Sequence, residues 1–91
     1  MLYLVGYDIS CPRRLRRVAN VCQDYGLRVQ CSFFECHLDE RVFERFWARL
    51  LAEIHPGEDR VVAYELDARS ARRTRRAGTM AATRKAEVYV V

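Results

Sequence analysis

Apolar positions along the chain fall into six stretches, and their periods differ. Residues 2–9, LYLVGYDI, are nearly all apolar and rich in aromatic and β-branched side chains, yet too short for a typical helix. They predict a central strand covered on both faces. Ser10 is placed to cap a following helix, and Pro12 suits its first turn. Over residues 12–25, Leu15, Val18, Ala19, Cys22 and Tyr25 share one helical stripe, while Arg13, Arg16, Arg17 and Asn20 fall opposite. Gly26 is the expected stop.

The middle of the chain changes phase. In LRVQCSFFECHL, residues 27–38, the apolar set begins as Leu27, Val29, Cys31 and Phe33, then becomes Phe34, Cys36 and Leu38. A period of two that flips phase implies either a bulge or a break into two short strands. For Phe33 the pattern favours core packing, as it does for Trp47, whereas the flip leaves Phe34 open. Asp39 is placed to cap a second helix over 40–54, with a wide apolar face of Val42, Phe43, Phe46, Trp47, Leu50, Leu51 and Ile54. HPGED reads as a turn, and RVVAYEL, residues 60–66, as another strand.

Strand, helix, strand or strands, helix, strand describes an α+β sandwich. If the middle segment is two strands, the plan is the ferredoxin-like split βαβ, an antiparallel sheet with two helices on one face. Residues 1–66 form that core. Its other sheet face is left open unless something covers it, and a core of this size is marginal alone, so a homodimer is attractive. Residues 67–85 are a basic connector with no hydrophobic stripe to anchor it. The terminal EVYVV, within residues 86–91, has strand character and needs a sheet edge, its own or a partner's.

Composition narrows the class. No run approaches the ~18 apolar residues of a membrane span, and the apolar start lacks a basic leader and is interrupted by Asp8. The expected location is therefore cytoplasmic, where thiols stay reduced. The spacings of Cys11, Cys22, Cys31 and Cys36 form no CxxC pair, so small buried hydrophobes are their simplest reading. The net charge of +4 is unevenly spread: residues 1–67 carry nine basic and eleven acidic side chains, residues 68–91 seven basic and one acidic. All but one of the sixteen basic residues are arginine, whose planar fork grips phosphate through two parallel hydrogen bonds.

No P-loop, GxGxxG, HExxH or GxSxG signature is present. Two features remain. Asp8 ends the first strand just before a helix N-terminus, where it either favours the helix dipole or, met by a second copy across a two-fold axis, holds Mg²⁺. The clusters RRLRR (13–17) and RRTRR (72–76) suit phosphate contacts, the first at a helix N-terminus whose free N–H groups also favour anions. Such contacts read backbone and not sequence.

VGYDIS followed by PRRLRRVANVCQDYGLRVQCSFFECHLD closely resembles the small CRISPR-associated adaptation proteins, the Cas-two family. The shared pattern uses Tyr7, Asp8, Ile9, Gly26, Arg28, Gln30, Ser32, Phe34 and Glu35 and covers roughly residues 1–66. The resemblance implies a ferredoxin-like homodimer in which each C-terminal strand joins the partner's sheet. It implies one Mg²⁺ per dimer, held where the two Asp8 carboxylates meet, and endonuclease activity on single-stranded RNA or double-stranded DNA. It further implies work alongside the CRISPR integrase in spacer acquisition, either catalytic or as a non-catalytic adaptor bridging integrase dimers and duplex DNA. The implied site is Asp8 as catalytic and metal residue, Arg13, Arg14, Arg16, Arg17 and Arg28 on nucleic acid, and Tyr7, Ser32 and Phe34 in support. A ferredoxin-like RNA-binding protein or toxin-type nuclease outside CRISPR is the remaining reading.

Overall fold

The apolar run at the start of the chain becomes strand β1 (Leu2–Asp8), and the rest of the fold is laid against it. A computed structural model of the chain describes residues 1–78. Helix α1 (Pro12–Tyr25), strands β2 (Leu27–Gln30) and β3 (Phe33–His37), helix α2 (Glu40–Glu53) and strand β4 (Arg60–Leu66) follow in order, then a short helix α3 (Ala68–Arg72). The sheet order is β2-β3-β1-β4, with every pairing antiparallel. This is the ferredoxin-like plan. The expected strand at 86–91 and the end of the connector lie outside the described residues.

The phase flip at the middle of the chain is resolved as two strands. A turn at Cys31–Ser32 separates β2 from β3, and a register shift between Arg28 and Gln30 adds a bulge. Both devices thus operate. One consequence reverses an expectation: Phe34 is fully buried, and Phe33 lies on the far face of the sheet, 37% exposed. Successive strand residues point to opposite faces, so only one of the two rings can enter the core.

The helix-facing side of the sheet carries the core. Tyr3, Val5 and Tyr7 of β1 and Phe34 and Cys36 of β3 pack against Val18, Val21 and Cys22 of α1 and Phe46 and Leu50 of α2. Aromatic rings organise the layer: Tyr3 stacks on Phe43 at 4.0 Å, Tyr25 on Phe46 at 4.8 Å, and Phe43 on Trp47 at 5.9 Å. Each such pair is worth about 0.5–1.5 kcal/mol beyond its burial. The predicted stripes hold in the main, but Val21 joins the core while Leu15 and Leu51 stay exposed. Burial pushes the Cys22 and Cys36 thiols up to about 12, so these two behave as small hydrophobes. Cys31 is exposed and Cys11 half-buried, against the expectation that all four would be core.

On the other face β1 is also covered, as predicted, with Leu2 and Gly6 buried and Leu4 partly so, and only Asp8 is exposed. Leu4, Gly6 and Asp8 point there, in register with Tyr64, Val62 and Arg60 of β4. Leu27, Phe33 and Tyr64 are large apolar groups exposed on this side. Phe33 lies flat over Gly6, where an added Cβ would come within 2.5 Å of its ring. Beyond α3, Thr74–Ala77 form one wall of a groove over this face with Leu4 and Phe33, and Arg76 forms an ion pair with Glu35.

Element ends follow local chemistry. Asp39 caps α2, its carboxylate accepting from the Val42 N–H at 2.8 Å, and Asp67 caps α3 through Ser70. Helix α1 is different. Pro12 opens it as expected, but the capping position is Cys11, with no side-chain cap, and Ser10 is used elsewhere. Gly26 stops α1 with an extended backbone; a Cβ there would collide with the Cys36 sulfur and the Glu35 carbonyl, so close packing of helix against strand excludes a side chain.

Candidate active site

Because β1 and α1 are joined by a short turn, the strand end and the helix N-terminus share one end of the sheet. The Cys31–Ser32 turn, the end of α2 and the start of β4 come to the same end. The residues of the implied site lie at or near this end, but the second arginine cluster does not: Arg72 lies beside Met1, Leu2 and His37 at the opposite end, and Arg76 pairs with Glu35. Asp8 is exposed at the last position of β1, directly opposite Arg60.

Tyr7, Arg28, Ser32 and Phe34 form one cluster beside it. The Tyr7 N–H donates to the Ser32 carbonyl at 3.2 Å, which extends the β1–β3 ladder into the turn. Arg28 donates to the Cys31 carbonyl at 2.7 Å and lies over the Phe34 ring, 5.0 Å from its centre. The Tyr7 ring stacks on Phe34 at 6.2 Å. Burial raises the Tyr7 phenol above its ordinary value, against the opposing pull of the Arg28 guanidinium. Phe34 is therefore a buried platform for Arg28 and Tyr7.

The arginines of α1 divide. Arg13 and Arg16 are exposed and, among the described residues, make no salt bridge. Arg17 approaches Glu53 at 3.8 Å on an exposed surface, where ion pairs contribute little. Arg14, expected to contact nucleic acid, is committed inward. Its Nε donates to Asp59 at 2.6 Å, and its Nη2 reaches Asp59 and Glu58, both at 3.1 Å. The Asp59 side chain is fully shielded from solvent. Its carboxylate also accepts from the His55 N–H at 2.8 Å and from the N–H and hydroxyl of Ser10 at 3.1 and 3.3 Å. Sequence reasoning missed Asp59. It sits in a polar turn, GED, and only its charge complement, far along the chain at Arg14, marks it.

Arg14 and the two backbone donors hold the Asp59 carboxyl well below the usual carboxylate range. A depressed native value gives stability that is complete above the unfolded value, ordinarily 3.8, and is lost as the pH falls through the native one. Thermal melts of the native chain and Asp59→Asn should therefore differ most above pH 5 and begin to converge only below pH 4, the gap narrowing steadily as the pH falls further. A gap that stays constant down to about pH 2 would show that the charge pair is not its source.

Among the described residues, no group of three or more His, Cys, Asp or Glu side chains is placed to hold a metal ion. No helix there is long and apolar enough to cross a membrane.

Fold and site together define a small ferredoxin-like chain with a lone strand-end carboxylate beside an arginine-bearing helix N-terminus. The family model described as CRISPR associated protein Cas2 matches residues 1–74. The chain belongs to this family. A relative from Nitratidesulfovibrio vulgaris named CRISPR-associated endoribonuclease Cas2 is 45% identical over 73 residues, which span 75% of this chain and 72% of the relative. A Rhodospirillum rubrum protein named CRISPR-associated endoribonuclease Cas2 3 is 43% identical, covering 85% of this chain and 86% of its own. The crystal structure of Streptococcus pyogenes Cas2 is similar at 38% identity and a TM-score of 0.76, covering 86% of this chain and 100% of that one.

Proposed function

We propose that the chain works as a homodimeric, Mg²⁺-dependent endonuclease of CRISPR adaptation, cutting phosphodiester bonds of single-stranded RNA or duplex DNA alongside the CRISPR integrase. The observation that carries this reading is the exposed Asp8 carboxylate at the end of β1 together with the exposed Arg13 and Arg16 on the first turns of α1, joined to it by the short turn of residues 9–11. The endoribonuclease names of relatives at 43–45% identity support it.

Asp8 suits Mg²⁺, a hard cation that takes one or two carboxylates and keeps several waters. One chain supplies a single such group, so the fit calls for Asp8 from each of two copies. That sheet face, only partly walled by Thr74–Ala77, supports pairing of copies, since Leu27, Phe33 and Tyr64 are left exposed on the side that Asp8 faces. Mg²⁺ bound there supplies charge neutralisation at the scissile phosphate. Arg13, Arg16 and Arg17 anchor neighbouring phosphates, near the positive end of the α1 dipole. Arg28, held over Phe34, points its charge toward the same end.

Replacing Arg13, Arg16 and Arg17 together with Gln should weaken binding to a short duplex uniformly across sequences. The slope of log affinity against log salt should become shallower by about 0.9 for each phosphate that the variant no longer neutralises. Fluorescence anisotropy at several salt concentrations measures both. An unchanged slope would remove these arginines from the interface.

A second reading, a non-catalytic adaptor for duplex DNA and the integrase, is favoured by the same exposed arginines, because gripping backbone requires no chemistry. Cleavage assays with and without Mg²⁺ on the native chain and Asp8→Asn separate the two. The adaptor reading holds if spacer acquisition survives Asp8→Asn but not the triple arginine change.

A further inference from the structure

Asp59 lies outside the exposed groups just assigned, yet it is the most heavily hydrogen-bonded side chain of the described residues. Its two oxygens accept from Ser10, Arg14 and His55, with separations of 2.6 to 3.3 Å. Those partners belong to the β1–α1 turn, the first turns of α1 and the segment leaving α2. Asp59 itself begins the entry to β4, next to Arg60, the register partner of Asp8. Asp8 is thus fixed from two directions. The sheet ladder holds it opposite Arg60, and two residues later Ser10 is held by the neighbour of Arg60.

A buried ion pair is weak evidence for stability, because desolvation cancels most of its attraction, and an apolar substitute of similar volume often does as well. What such a pair supplies is direction. A guanidinium gripping a carboxylate through Nε and Nη2 at once fixes both planes, which no apolar contact does. Here the fixed parts are the turn carrying Asp8 and the helix start carrying Arg13, Arg16 and Arg17.

We propose that Asp59, acting through Arg14 and Ser10, is a positioning residue that orders the β1–α1 turn and so sets the Asp8 carboxylate and the α1 arginines in working geometry. The proposal rests on the nuclease reading for its catalytic consequence, but not for its structural one. Outer partners that orient metal ligands typically change activity or metal affinity 10–100-fold when removed.

The full-length chain is compared with Asp59→Asn, Arg14→Lys, Ser10→Ala and Leu2→Ala, the last a core change at the opposite end of β1. Two readouts are taken on each. Amide hydrogen exchange should speed up at least about tenfold at residues 8–14 in Asp59→Asn while residues 3–6 stay protected. Cleavage titrated with Mg²⁺ should need about ten times more metal for half-maximal rate, or fall about tenfold at saturation. Arg14→Lys, which keeps the charge but not the fork, should fall between native and Asp59→Asn in both. Leu2→Ala, at matched thermal midpoint, should change neither locally. Uniformly faster exchange in Asp59→Asn, or equal effects in Leu2→Ala, would reduce the cluster to a stability element and overturn the proposal. Should Asp59→Asn fail to fold, Ser10→Ala and Arg14→Lys decide the matter by the same exchange window. A native chain that does not cleave would sink the nuclease reading instead, leaving the exchange data to decide on Asp59.

Discussion

Asp8→Asn should lower Mg²⁺-dependent cleavage by about a thousandfold at saturating metal, with duplex binding at fixed salt nearly unchanged. The size follows from what the substitution removes. Asn keeps the shape and one oxygen but loses the charge that draws Mg²⁺, and a metal bound at a scissile phosphate is worth several kcal/mol of barrier; each 1.36 kcal/mol is tenfold in rate. The fold should be indifferent, because Asp8 is exposed at a strand end and its side chain makes no hydrogen bond among the described residues. Binding should persist because the arginines of α1 are untouched. Mixing native and Asp8→Asn chains sharpens the test. If one carboxylate from each copy is needed, mixed dimers are as dead as the variant, and activity falls with the square of the native fraction. A linear fall would place a complete site in each chain. Cleavage by Asp8→Asn at the native rate would assign the activity elsewhere.

Phe34→Ala should destabilise the chain by roughly 3–5 kcal/mol, the range for truncating a fully buried aromatic ring. Chemical denaturation with circular dichroism measures it. Phe34 has no exposed surface and is the platform under both Tyr7 and Arg28, so the cavity opens in the central pair of strands. For a domain of this size such a change is a large share of the total stability. Phe33→Ala, one residue away, should cost much less in the monomer, since that ring lies on the open face. The contrast carries the information. Comparable effects at both positions would mean that the open face is already packed, as it would be in a dimer, and the concentration dependence of unfolding then tells the two cases apart.

Phe33 and Phe34 also mark where the sequence stops being explicit. The phase flip announced an irregularity between residues 27 and 38, but local periodicity cannot say which of two adjacent rings enters the core. That choice is made by the Cys31–Ser32 turn and by the register of β3 against β1, which sets Phe34 opposite Val5. Arg14 is a parallel case. Within RRLRR all four arginines suit phosphate, and it is Asp59, 45 residues away, that withdraws Arg14 from the surface. Ser10 was legible as a helix-start residue, yet the same distant carboxylate takes its hydroxyl and leaves Cys11 at the cap.

Outside residues 27–38, where a bulge and a break into two strands both stood open, order and type of the core elements were determined by the sequence itself, because they depend on neighbours within one turn or one pleat. The apolar period, Pro12, Gly26 and Asp39 act over a few residues and need no knowledge of the rest of the chain. The convergence of Asp8, Arg28, Ser32 and the α1 arginines at one end of the sheet was decided only by the tertiary structure. So was the burial of Asp59. Each is a pairing between distant segments, and its energy exists only once the chain has brought those segments together.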